Sequence, residues 1–158
     1  GETFVTRKVT RTVAKIKLGI QDELHMGNIN AVRDWGHAKD FVEAMWLMLQ
    51  SDKPSDYVVA TNEVHTVREL IEVCFKHVEM PILWEGDGLD EVGKEQATGI
   101  VRVRIKEKFF RPSEVEYLQG NPEKASKELG WKPKITFHAL IKEMLESDLE
   151  LMKKDPTA

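Results

Sequence analysis

The run Phe41-Val42-Glu43-Ala44-Met45-Trp46-Leu47-Met48-Leu49 constrains this chain more than any other stretch. A helix from His37 to about Gln50 would carry polar residues only along a narrow stripe, Lys39, Glu43 and Gln50 with Asp40 nearby, and the rest of its surface has to be covered. A chain of 158 residues has limited material for that, so the helix is expected to pack against a partner or a domain outside the chain. The approach to it reads Ala31-Val32-Arg33-Asp34-Trp35-Gly36. Asp34 is predicted as the N-cap, its carboxylate accepting from the free amides of the first turn, which puts Arg33 at a helix entrance. Free N–H groups and partial positive charge there favour an anion, and a guanidinium adds a planar fork suited to phosphate; pairing with a nearby carboxylate is the alternative.

Hydrophobic residues at 41% and charged residues at 32% predict one ordinary globular core. The net charge of -4 argues against a general nucleic-acid binder. No stretch has the unbroken apolar length of a membrane helix and no secretory pattern opens the sequence, so neither a membrane nor a nucleic acid is expected as partner. Cys74 is the one cysteine, which excludes an intrachain disulfide. Its helical spacing with Leu70, Ile71 and Phe75 places it in a core and suits a reducing, cytoplasmic setting. The sequence begins at Gly1 without methionine and enters a helix almost at once, as a piece of a longer protein would.

Residues Thr3 to Leu18 read as a helix closed by Gly19, with Val5, Val9, Val13 and Ile16 on one face and Arg7, Lys8, Arg11, Lys15 and Lys17 around the others. Arg11, Lys15 and Lys17 are expected to face water, whereas Lys8 lies in the first turns, where a ligand phosphate would meet the helix entrance. Short strands are predicted at 23–28 and, as a fully buried one, at Tyr57–Ala60. Thr66 and Glu69 form a capping box for a helix through Val78, followed by a strand at Ile82–Glu85, a long loop from Gly86 to Gly99 and a strand at Ile100–Ile105.

In Phe109-Phe110-Arg111-Pro112-Ser113-Glu114-Val115-Glu116 a second arginine precedes a second predicted helix, which Ser113 and Glu116 would cap and Gly120 would end. Two such arginines raise a diphosphate site to equal standing with two separate ion pairs. Glu114, in the first turn, would accept from a ribose diol or simply favour the helix dipole. Asn121-Pro122 opens a helix to Leu129, and Thr136 opens the last one, stopped by Asp155-Pro156. The five histidines show no metal-ligand spacing, there is no Gly-x-Gly-x-x-Gly turn for a dinucleotide, and no serine sits in a strand-to-helix elbow. No catalytic, cofactor-binding or metal-binding residue is therefore expected in this chain.

Thr3-Phe4-Val5-Thr6-Arg7-Lys8, Gly27-Asn28, Arg33 through Asp40, Phe110 through Val115 and Leu129-Gly130-Trp131-Lys132-Pro133 together resemble the C-terminal part of the GDP-mannose 4,6-dehydratase family, extended short-chain dehydrogenases. The resemblance implies an α/β fold: residues 1–158 would be the substrate-binding part of a Rossmann-type enzyme whose N-terminal core lies outside the chain. Elements around 37–61 would pack on that NADP-binding domain. It further implies conversion of GDP-mannose to GDP-4-dehydro-6-deoxymannose with bound NADP, a step towards GDP-fucose, in a homo-oligomer. Lys8 and Arg33 would neutralise the diphosphate, Arg111 would be a second clamp, Glu114 would accept the ribose hydroxyls, and the Val5 backbone would approach the guanine. The competing readings are a docking or nucleotide-sugar-binding module without catalysis, and a related GDP-sugar reductase or epimerase.

Overall fold

The structure, a computed structural model, describes residues 4–111 and 113–157. The expected helix start at Thr3 and the conformation of Pro112 lie outside them. In place of the single core expected, the chain divides into two compact units, one of residues 1–31, 66–114 and 141–158, the other of residues 32–65 and 115–140.

In the first unit, α1 (Val5–Lys17) packs against α3 (Val67–His77). Their apolar stripes close on each other, with Val9, Val13 and Ile16 meeting the side of α3 that carries Leu70, Ile71, Cys74 and Phe75, all buried. Thr66 caps α3 as its box predicts, its Oγ1 accepting from the Glu69 amide at 3.0 Å. A four-stranded sheet runs in the order β1 (Leu24–Met26), β6 (Val101–Ile105), β5 (Val92–Glu95), β4 (Ile82–Glu85). β1 lies parallel to β6, Leu24 opposite Val103, and the other two pairings are antiparallel. β5 falls inside the predicted loop. Its Val-Gly-Lys-Glu carries too little apolar signal to read as a strand, and tertiary pairing decides: Gly93 fits under Val103 and Trp84, and buried Glu95 accepts from Arg102 Nε at 2.9 Å.

The basic face of α1 is more than a solvated stripe. Arg7 reaches Asp148 at 3.0 Å and Thr10 Oγ1 donates to the same carboxylate at 2.6 Å, so a wholly buried aspartate of α5 (Phe137–Lys154) is compensated from α1. Lys17 donates to the Val78 carbonyl at 2.7 Å and closes the end of α3.

In the second unit, Ala44 of α2 (Ala38–Leu49), Ala125 of α4 (Glu123–Leu129) and Trp131 form a small core under Phe41, Leu47, Met48, Tyr57 and Val59. Trp131 Nε1 donates to the Asp40 carbonyl at 2.8 Å, and the Asp40 carboxylate accepts from the Lys134 and Ile135 amides, both at 2.9 Å. The other side of α2 is bare: Val42, Met45, Trp46 and Leu49 are 58–82% exposed. Residues 57–60 have no strand assignment and Val58 is exposed, so the fully buried strand expected there does not form.

Candidate functional site

Both helix-entrance expectations are corrected. The N-cap of α2 is His37, whose Nδ1 accepts from the Lys39 amide at 3.0 Å. Asp34 has other work: its two oxygens accept from the Thr61 amide and hydroxyl, the Asn62 amide and the Gly120 amide at 2.6–3.3 Å. Four donors from distant segments outbid the local cap. Arg33 accordingly lies on β2 (Val32–Arg33), five residues ahead of the first helical residue, half-buried, with Nη1 donating to its neighbour's carbonyl at 2.8 Å. β2 pairs with the short β3 (His65–Thr66). Downstream, Trp35 stacks on Phe137 at 5.8 Å and Phe137 on His65 at 3.8 Å, which fixes the approach to α2.

No helix follows Arg111. The capping box at Ser113 loses to pairing in the second unit, where Tyr117 bridges Val32: the Val32 amide donates to the Glu116 carbonyl at 2.7 Å and the Leu118 amide to the Val32 carbonyl at 3.0 Å. Arg111 is exposed and Glu114 half-buried, and neither lies in a helix.

Within the first unit, Lys8 is set against a turn that the motif only borders, and Arg111 and Glu114 follow that turn along the chain. Residues 107–109 form a 3-10 turn, closed by the Phe109 amide on the Lys106 carbonyl at 3.0 Å and the Phe110 amide on the Glu107 carbonyl at 2.9 Å. The Lys106 amide donates to Met26 at 2.8 Å, extending the β1–β6 pairing, and Gly27 sits directly on the Phe109 carbonyl. That seat brings the Phe109 ring under Lys8, whose Nζ lies 3.7 Å from the ring centroid. Burial, and then the neighbouring Lys108 ammonium, push the Lys8 ammonium below the ordinary lysine range. Arg111 follows two residues beyond Phe109. The first turn of α1 contains no acidic side chain and its N-cap, Phe4, makes no side-chain cap bond. A partly desolvated lysine with cationic neighbours and an aromatic floor favours an anionic ligand.

Among the described residues no group of three or more His, Cys, Asp or Glu side chains is placed to hold a metal. No helix there is long and apolar enough to cross a membrane. Burial pushes the Cys74 thiol up, away from any nucleophilic role.

Residues 1–144 match the sequence model of the family described as GDP-mannose 4,6 dehydratase. The chain is 57% identical over all 158 residues to a GDP-mannose 4,6 dehydratase of Drosophila melanogaster and 52% to one of Homo sapiens, covering 40% and 42% of those proteins. It thus spans well under half the length of these curated relatives. Among solved structures, RMD from Pseudomonas aeruginosa, complexed with NADPH, superposes with a TM-score of 0.76 at 21% identity, over 96% of this chain and 44% of that one. A dTDP-glucose 4,6-dehydratase from Bacillus anthracis, in complex with NAD, superposes with a TM-score of 0.66 at 18% identity, over 98% of this chain and 40% of that one. These likenesses show that the chain shares the fold of the matching parts of those two structures.

Proposed function

The chain belongs to the GDP-mannose 4,6 dehydratase family, and from that premise we propose that it is the substrate-binding part of an NADP-dependent enzyme converting GDP-mannose to GDP-4-dehydro-6-deoxymannose, on the way to GDP-fucose. The observation that carries the reading is the Lys8 ammonium, half-buried on Phe109 beside Lys108, with Arg111 two residues beyond Phe109 in the sequence, in a chain whose sequence follows the family nearly end to end. Lys8 and Arg111 neutralise the diphosphate, and the motif assigns Arg33 to the same group. Glu114 accepts from the ribose hydroxyls, and the Val5 backbone meets the guanine. These contacts bind and orient the nucleotide; the bond-breaking groups belong to the part of the protein outside this chain.

The described residues offer NADP no Gly-x-Gly turn at a helix entrance. The one Gly-x-Gly turn, Gly86-Asp87-Gly88, runs into a 3-10 turn and then β5, so no helix follows to receive a pyrophosphate. The cofactor is assigned to a preceding Rossmann part, and the bare face of α2, with Val42, Met45, Trp46 and Leu49 outward, supports packing of residues 37–61 against it. A cytoplasmic homo-oligomer belongs to the same reading.

Full-length protein supplied with GDP-mannose and NADP is expected to form the 4-keto sugar, while the 158-residue chain alone forms none. Turnover by the chain alone contradicts the assignment of chemistry elsewhere. Turnover of UDP- or ADP-sugars at the same rate contradicts the guanosine site.

A further inference from the structure

Lys17, Lys94, Lys134 and Lys124 all meet oxygen: Lys17 a carbonyl, Lys94 and Lys134 carboxylates, and Lys124 a hydroxyl and a carbonyl while also facing the Tyr57 ring at 4.9 Å. Lys8 and Lys108 do not. Both are set against the Phe109 ring, their Nζ atoms 3.7 and 4.9 Å from its centroid, and among the described residues no carboxylate pairs with either. A ring quadrupole offsets part of the cost of one desolvated ammonium, but two like charges against one ring oppose each other, and an anion relieves both. The arrangement is also rigidly seated. Lys108 lies in the 3-10 turn that Met26 and Gly27 hold, so little chain entropy remains to be lost when a ligand arrives.

From this geometry we infer that Lys108 is a second anion-contacting residue of the site, acting with Lys8 on one diphosphate, and that Phe109 is the positioning residue that holds the two ammoniums together. The inference deepens the proposed function and rests on its reading of Lys8. Lys108 is exposed, so solvent screens its charge from Arg111.

Competitive acylation of the full-length protein, read by mass spectrometry, follows each lysine separately. GDP is expected to slow labelling of both Lys8 and Lys108 about tenfold while leaving Lys15 unchanged, and Lys108→Ala to weaken GDP binding about tenfold, with Lys108→Arg restoring most of it. In ligand-free protein Lys108→Ala moves the Lys8 labelling profile to higher pH, as removal of a like charge requires, and Phe109→Leu weakens GDP binding without unfolding the chain. If GDP protects Lys8 but not Lys108, and Lys108→Ala binds normally, the inference is overturned and the proposed function stands. If GDP protects neither, the proposed function fails and inorganic pyrophosphate decides. Protection of both lysines by pyrophosphate then upholds the paired anion site, and protection of fewer than both overturns it.

Discussion

Gly27→Ala isolates the seat beneath the candidate site. A Cβ at Gly27 would lie 2.3 Å from the Phe109 carbonyl oxygen, 2.6 Å from its carbon and 3.1 Å from the Phe110 nitrogen. An ordinary carbon–oxygen contact is about 3.3 Å, so the turn has to retreat by about 1 Å. The obstacle is backbone, pinned by the Lys106 amide on Met26, and no rotamer change relieves it. Overpacking of this kind costs about 1–3 kcal/mol, and the retreat carries Phe109 away from the Lys8 ammonium. Gly19→Ala is the control: Gly19 has φ +70° with open space around it, so alanine there costs about 1–2 kcal/mol of left-handed strain and leaves the turn where it is. Denaturant unfolding and calorimetric titration with GDP on full-length protein are expected to show both variants destabilised, and only Gly27→Ala weakened for GDP, about tenfold or more. A Gly27→Ala protein with unchanged stability and unchanged affinity refutes the reasoning.

Asp148→Ala strips the buried partner from Arg7 and Thr10 and is expected to cost about 3 kcal/mol in urea unfolding, whereas Thr10→Val, which leaves the Arg7 pair, costs about 1 kcal/mol. Equal losses would show that the ion pair is not what holds α1 to α5. Glu23 accepts from Arg104 Nε and Nη2 at 3.1 and 2.9 Å, and these bonds, with His25 adding to them against the effect of burial, hold its carboxyl down to about 2 from an ordinary 4.5. A depressed carboxyl stabilises the fold fully above its unfolded range and loses that contribution as pH falls towards 2, so Glu23→Gln is expected to flatten the stability curve between about pH 4.5 and 2, modestly because solvent reaches both partners of the pair. An NMR titration of Glu23 with a midpoint near 4.5 would contradict it.

What the sequence discloses here follows the strength of the periodic signal. α1, α2, α3 and α5 are all legible because their apolar residues recur at helical spacing over three or more turns, and Thr66 caps α3 as written. The Asp34 cap and the Ser113 box read the same way locally and fail. Asp34 is claimed by Thr61, Asn62 and Gly120, and the stretch after Ser113 is drawn into pairing with Val32, partners that lie far along the chain and leave no local trace. β5 is hidden for a related reason, since Gly93 and Glu95 are buried by what sits opposite them. The surplus of apolar surface on α2 is plain from Phe41 to Leu49 and reappears as exposed Met45, Trp46 and Leu49. For the site, Lys8 and Arg111 can be named from charge and motif, but the Phe109 platform depends on Gly27 meeting a carbonyl 82 residues away, which only the fold provides.

The central claim is that the cationic side chains named here hold the diphosphate of a guanosine nucleotide. Calorimetric titration of full-length protein with GDP tests it most directly, comparing the unaltered chain with Arg33→Ala and Arg111→Ala, each checked for native unfolding. The account predicts that each substitution weakens GDP at least tenfold. GDP affinity left unchanged by both substitutions, in folded protein, contradicts it.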